Sequence, residues 1–175
     1  TKYNATYKPN PAATRTHGTG PKSTPTFADG RLYTLGMSGI VTAFDAASGK
    51  QLWQKPKPAV EPLYHTAMSP LVDRGLVVVH VGGHSNGALT AFDARTGDIK
   101  WSWNGDGPAY GSPIAVDLGG TRQVITMTQE CPRRPVSCYG NVPTRFARRA
   151  MPRRRSFTTA SSSCQAWACR SPDSK

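Results

Sequence analysis

The first 130 residues contain no cysteine; Cys131, Cys138, Cys164 and Cys169 all fall after them. A disulfide framework is therefore excluded as the staple of the main part of the chain. Acid is also scarce, with ten Asp and Glu against 22 Lys and Arg and a net charge of +12. Such a balance ordinarily points to nucleic acid, but its distribution argues otherwise. Residues 131–175 hold nine Arg and one Lys against Asp173 alone, a charge of +9, which leaves +3 over the first 130 residues. No nucleic-acid partner is expected. Long apolar runs are missing as well. The longest, Leu76–Val81, is far too short to span a bilayer. No stretch sustains a helical period. An apolar content of 37% with 17 Gly and 15 Pro suits a loop-rich β protein better than a helical bundle. The chain opens on Thr1 rather than Met and shows no secretory leader, so a processed or truncated N-terminus is expected. Walker, His-Glu-x-x-His and Gly-x-Ser-x-Gly signatures are lacking, so no catalytic residue is assigned. The four Cys depart from compact zinc-binding pairs, and no metal site is assigned either.

What is present is a repeat. Thr24-Pro25-Thr26-Phe27-Ala28-Asp29-Gly30 is echoed by Ser69-Pro70-Leu71-Val72-Asp73-Arg74-Gly75, and Ser112-Pro113-Ile114-Ala115-Val116-Asp117 opens a third copy. A second anchor runs in step. Val41-Thr42-Ala43-Phe44-Asp45-Ala46-Ala47-Ser48-Gly49-Lys50-Gln51-Leu52-Trp53 matches Leu89-Thr90-Ala91-Phe92-Asp93-Ala94-Arg95-Thr96-Gly97-Asp98-Ile99-Lys100-Trp101. Each unit predicts four short strands. The first follows the Thr/Ser-Pro step, where Pro fits a strand start. Asp29-Gly30 turns into the second, residues 31–36, and Gly39 opens the third, residues 40–45. Ser48-Gly49 and Thr96-Gly97 turn into a fourth that ends at Trp53 or Trp101. Four-stranded units at this period read as propeller blades, since one blade cannot bury both of its faces.

The pattern Ala-Phe-Asp-Ala-x-Thr/Ser-Gly-x-x-x-Trp resembles the signature of the pyrroloquinoline-quinone repeat family over residues 20–130. The resemblance implies an all-β fold, a partial β-propeller of four-stranded antiparallel blades, with Trp53 and Trp101 as docking plugs between blades. Family propellers have seven or eight blades, and about three are visible here. The family holds both alcohol and sugar quinoprotein dehydrogenases and non-catalytic propellers. Two readings therefore stand. The chain is a fragment of a ligand-binding or protein-interaction scaffold, not itself catalytic, or it is a fragment of a quinone-dependent dehydrogenase. The resemblance implies pyrroloquinoline quinone and Ca²⁺ for the parent protein, with neither assigned to this segment. It also implies a periplasmic or secreted location, and a small quinone or a protein as partner. The vicinal Cys pair expected of the dehydrogenases is not in the chain.

Residues 131–175 do not continue the third copy. A shifted reading frame accounts for them. Joining the last base of each codon to the first two of the next, Cys138–Tyr139 must encode Leu, and Tyr139–Gly140 gives only Trp or Arg. Codons from Arg134 to Asn141 together permit Thr-Gly-Glu-Leu-Leu-Trp-Gln, a sibling of Ser48-Gly49-Lys50-Gln51-Leu52-Trp53-Gln54. Those from Arg153 to Ala160 permit Thr-Pro-Ile-Val-His-Asp-Gly, a sibling of Thr24 to Gly30. The expected organisation is a partial blade or linker over 1–19, propeller repeats over 20–130, and an out-of-frame, disordered basic tail over 131–175.

Candidate binding residues follow from the repeat register. Lys22, Ala67 and Tyr110 stand two residues before the three Thr/Ser-Pro steps, and His65 two before Ala67. If first strands line a central channel, a cation, an imidazole and a phenol meet there. Lys22, His65 and Tyr110 are therefore the candidates for an anionic or quinone ligand. His80, inside a strand, and His84, in the inserted turn Gly82-Gly83-His84-Ser85-Asn86-Gly87, have weaker claims, as do His17 and Asp106.

Overall fold

The computed structural model describes residues 10–62, 64–118 and 121–129, and the backbone of 167–170; side chains of Ala12 and His17 are not described. Two complete blades follow one another. The first consists of β1 (Thr26–Ala28), β2 (Arg31–Leu35), β3 (Val41–Asp45) and β4 (Gln51–Lys55), hydrogen-bonded in that order. The second consists of β5 (Leu71–Asp73), β6 (Leu76–Gly82), β7 (Gly87–Asp93) and β8 (Ile99–Gly105), again in chain order. All pairings are antiparallel. A third sheet holds β9 (Ile114–Leu118), β10 (Thr121–Thr126) and β11 (Trp167–Arg170) in the order β11-β10-β9. The first strands adjoin one another, β1 beside β5 and β5 beside β9.

Each signature residue has a local reason. Asp29 and Gly30 both take positive φ, 48° and 71°, as do Arg74 and Gly75, at 46° and 75°. Two positive φ values in a two-residue loop make the tight turn whose twist matches its strands. Asp93 Oδ1 accepts from the Arg95 and Thr96 amides at 2.9 and 3.0 Å. Those bonds, led by Thr96, hold its pKa at about 2. Asp45 does the same work with Ser48, at 2.8 Å from the amide and 2.6 Å from the hydroxyl. Such side-chain bonds to the backbone define the turn that follows each third strand. Ala43 pairs with Trp53 and Ala91 with Trp101, each followed at once by a break in register. A small residue on the third strand leaves room for the large indole opposite.

The core lies in the seams between blades. Blade one contributes Tyr33, Leu35, Val41, Ala43 and Trp53, and the second blade meets them with Met68, Val77, Val79, Phe92 and Ala94. Val78, Leu89 and Ala91 point the other way, toward Val124 of the third sheet. Period-2 alternation along β6 thus feeds two seams at once.

Three details differ from the expectation. A short helix, α1 (Pro11–His17), lies in the segment read as partial blade or linker. Asn10 O accepts from the Ala13 and Thr14 amides, both at 2.9 Å, and Pro11 needs no amide partner in the first turn. The fourth strands run beyond their Trp, since Val41 pairs with Lys55 and Gly87 with Gly105. Within the tail only Trp167–Arg170 is described, and its backbone pairs with β10. That strand is the one described part of the segment expected to be a disordered tail, and it covers an edge of β10. The rest of 131–175 lies outside the described residues.

Candidate functional site

Lys22, Ala67 and Tyr110, the three register-equivalent positions, line one cavity of about 610 Å³ together with Tyr64. They meet because each stands just before a first strand, and the first strands adjoin. The strands are held at fixed spacing there by a ladder of hydroxyls. Thr24 N–H donates to Ser69 Oγ at 2.9 Å, and Ser69 N–H donates to Ser112 Oγ at 2.9 Å. The Thr/Ser of the Thr/Ser-Pro step is therefore an inter-blade acceptor, a role the sequence pattern did not disclose.

Lys22 brings the charged group to the cavity lining. Its Nζ is buried and has no hydrogen-bond partner among the described residues. A buried cation without a partner is unfavourable unless something anionic joins it. Two phenols share the lining with it. Tyr64 and Tyr110 meet edge to face with centroids 6.0 Å apart, and the Tyr110 hydroxyl accepts from the Tyr64 amide at 3.3 Å. Tyr110 takes φ of 64° and the neighbouring His65 62°, a left-handed conformation that costs a non-glycine residue strain.

His65 is beside this wall but does not line it. Its Nε2 accepts from the Asn10 amide at 3.1 Å, and its Nδ1 lies 3.6 Å from Glu61 Oε2. Glu61 also holds Lys57 at 2.9 Å. The imidazole is thus committed to fastening α1 against the linker and to fixing the backbone next to Tyr64. Tyr64, which the register argument missed, takes the place in the wall that His65 was expected to fill.

The remaining candidates lie elsewhere. His80 is fully buried in the second blade, its Nε2 donating to Asp106 O at 2.9 Å and its ring edge-on to Trp103. Burial pushes its pKa down, so the ring stays neutral. Asp106 Oδ1 accepts from the Gly107 amide at 2.6 Å, and His84 sits exposed in its bend. His17 ends α1, and its side chain lies outside the described atoms. Among the described residues no three His, Cys, Asp or Glu cluster to hold a metal, and no helix is long and apolar enough to cross a membrane.

Away from the cavity, the blade seam reveals what the repeat Trp does. Trp53 Nε1 donates to Ala94 O of the next blade at 3.1 Å. Tyr33 Oη and Arg31 Nη1 converge on the same oxygen, both at 3.0 Å. The indole lies on Gly97, where a Cβ would stand only 2.8 Å from Trp53 Cδ2.

The sequence and the fold are similar to those of known proteins. A family model described as outer membrane protein assembly factor BamB matches residues 8–130. Quinohemoprotein alcohol dehydrogenase ADH IIB of Pseudomonas putida is 38% identical over 94 residues, which are 51% of this chain and 14% of that protein. A 1-butanol dehydrogenase (cytochrome c) of Thauera butanivorans is 37% identical over 89 residues, 49% of this chain and 13% of that protein. The chain therefore spans only a small part of these relatives. The crystal structure of quinohemoprotein alcohol dehydrogenase from Comamonas testosteroni superposes with a TM-score of 0.51 at 22% identity, covering 61% of this chain and 21% of that one, and speaks for the fold alone. Family match, repeat register and blade geometry agree: the chain belongs to the pyrroloquinoline-quinone-like repeat family of β-propellers.

Proposed function

We propose that this chain is a scaffold module of a propeller, not itself catalytic, whose channel-side wall binds an anionic aromatic ligand of the quinone class. The observation that carries this is the buried Lys22 ammonium without a partner, in a cavity built from three equivalent repeat positions. Pyrroloquinoline quinone fits that chemistry, being a flat tricarboxylate. Lys22 would face a carboxylate, and Tyr64 and Tyr110 would take an aromatic face or donate to oxygen. The volume falls in the range of small-molecule sites, about 300–1,000 Å³. When bound, the group would supply a redox-active quinone. His65 acts as a positioning residue, holding the backbone next to Tyr64. Ca²⁺ belongs to the parent protein in this reading, with ligands from outside the described residues. The parent is assigned to the periplasm or the cell exterior, as suits a family named for outer-membrane assembly.

The second reading is that the intact parent oxidises alcohols, favoured by the names of its relatives at 38% and 37% identity. One set of measurements separates them. Titrating the quinone into the purified chain is expected to quench tyrosine and tryptophan fluorescence saturably, and Lys22→Met to weaken binding about tenfold, roughly the 1.4 kcal/mol of one charge-assisted bond. Equal affinity in the two proteins would remove Lys22 from the site. Dye-linked oxidation of short alcohols and aldoses, with quinone and Ca²⁺ supplied, is expected to stay at the blank. Turnover abolished by chelation would replace the scaffold reading with the enzyme one.

A further inference from the structure

A hydrogen bond joins His65 to Asn10, 55 residues away in sequence. Its acceptor is the imidazole Nε2, which takes the Asn10 amide at 3.1 Å. A ring nitrogen that carries a proton cannot accept, so the bond exists only while the ring is neutral, with its proton on Nδ1. Nδ1 is the nitrogen nearer Glu61, whose Oε2 lies 3.6 Å away. A second proton therefore acts twice. It sets two donors against each other at Asn10, and it draws the ring toward the carboxylate. The imidazole is 3% exposed, so solvent is poorly placed to take over the amide's role.

Both ends of this contact carry structure. Asn10 opens α1, its carbonyl accepting from Ala13 and Thr14, and Ala13 is wholly buried. His65 holds φ of 62°, a left-handed backbone that persists only where neighbours enforce it. The His65 amide donates to Pro62 O at 3.0 Å and the Thr66 amide to Met37 O at 2.8 Å. The preceding residue, Tyr64, lines the cavity and donates its amide to the Tyr110 hydroxyl. Other titratable groups surround the ring. The linker brings Glu61, itself held by Lys57 at 2.9 Å. α1 brings Arg15, which is exposed, and His17, and the cavity wall beyond Tyr64 brings Tyr110 and Lys22. We infer that His65 is a proton-operated latch. Neutral, it docks α1 and fixes the Tyr64 side of the cavity; protonated, it releases α1 and frees the backbone at Tyr64 and His65. The latch does not depend on which ligand the cavity takes.

The test is an NMR titration of the full chain from about pH 8 to 5, the range in which an imidazole changes charge. At the upper end, the ring nitrogen shifts of His65 should place the proton on Nδ1. As the ring gains its second proton, the Asn10, Ala13 and Tyr64 amide signals should move with the same midpoint as His65. Glu61→Gln removes the carboxylate that favours the charged ring and should shift that midpoint down by about half a pH unit or more. His65→Gln offers an oxygen that accepts at every pH, so α1 should stay docked and those three signals should stay flat. The inference is overturned if they stay flat in the unaltered chain while His65 titrates, or if they still move in His65→Gln. A proton found on Nε2 at the upper end overturns it as well, and needs no variant to fold.

Discussion

The two blade seams use different physics. Between the first and second blades, ten buried residues form a continuous cluster, and three donors from one blade converge on a single carbonyl of the other. Between the second and third, the described buried cluster is four residues, and beyond the Ser69–Ser112 bond the seam is held by ionic contacts. Arg122 grips Asp73 with two bonds, at 2.7 and 3.1 Å, and Asp117 with one at 2.8 Å. A seam closed by a plug depends on shape and ignores pH. One closed by a clamp depends on charge. The described parts of the two seams are thus held by different bonds.

The largest effect that would break this contrast comes from the plug. Trp53→Ala is expected to cost about 3–5 kcal/mol, as for other large aromatics removed from a core. Trp101→Ala should cost less, since Trp101 is only partly buried where Trp53 is fully so, and its Nε1 bonds nothing among the described residues. Chemical denaturation of both variants checks the order, and equal midpoints would erase the distinction between the seams. Next comes the socket. Gly97→Ala should cost about 1–3 kcal/mol, because a left-handed backbone and a collision with Trp53 act together. Gly30→Ala shares the conformation, at φ of 71°, but its new Cβ would meet nothing, so about 1 kcal/mol is expected. Thermal melts of the pair separate strain from collision.

The clamp sets a smaller, pH-dependent effect. Asp73 is held below its ordinary pKa, first by its bond from Arg122. A carboxylate depressed in the folded state adds stability above its unfolded value, about 3.9, and loses it as pH falls through the folded value. Melting midpoints should therefore decline from about pH 5 downward, and Arg122→Met should flatten that decline. The part owed to Asp93, whose partners are amides of its own turn and the Lys100 ammonium of the same blade, should remain. An unchanged slope would mean that the clamp is ornamental. Smallest of all are Ser69→Ala and Ser112→Ala, each expected to cost about 0.5–1.5 kcal/mol. They should cost alike, since the hydroxyl ladder is the one device both seams share.

Much of this was legible in residue order. The Asp-Gly turns, the Thr/Ser-Gly turns and the Trp positions all follow from local chemistry repeated at a fixed period, and so the blades could be read before any coordinates. The cavity was half legible. Lys22, Ala67 and Tyr110 came from register alone, because equivalent positions in a ring converge. Tyr64 and His65 were confused because they sit one residue apart in a linker without a repeat partner. Which of them faces the cavity depends on the left-handed backbone at His65 and on its grip on Asn10, 55 residues away in sequence. No local signal encodes such a contact. The helix Pro11–His17 escaped for a related reason: its roughly two turns are too short to show a period, although Asn10-Pro11 announces its start.

The triple contact at Ala94 O has an evolutionary consequence. Every residue type presents the same carbonyl, so the three hydrogen bonds ask nothing of the side chain at position 94 beyond a size that fits the seam, and the indole asks that position 97 carry no Cβ. Two surfaces that meet through side chains must change together when either drifts. A plug that recognises backbone needs no such matching. A copied unit can therefore dock on its parent at once, and units that have since diverged in every other position still fit. Lineages built on such a joint gain or lose whole units more readily than they remodel one.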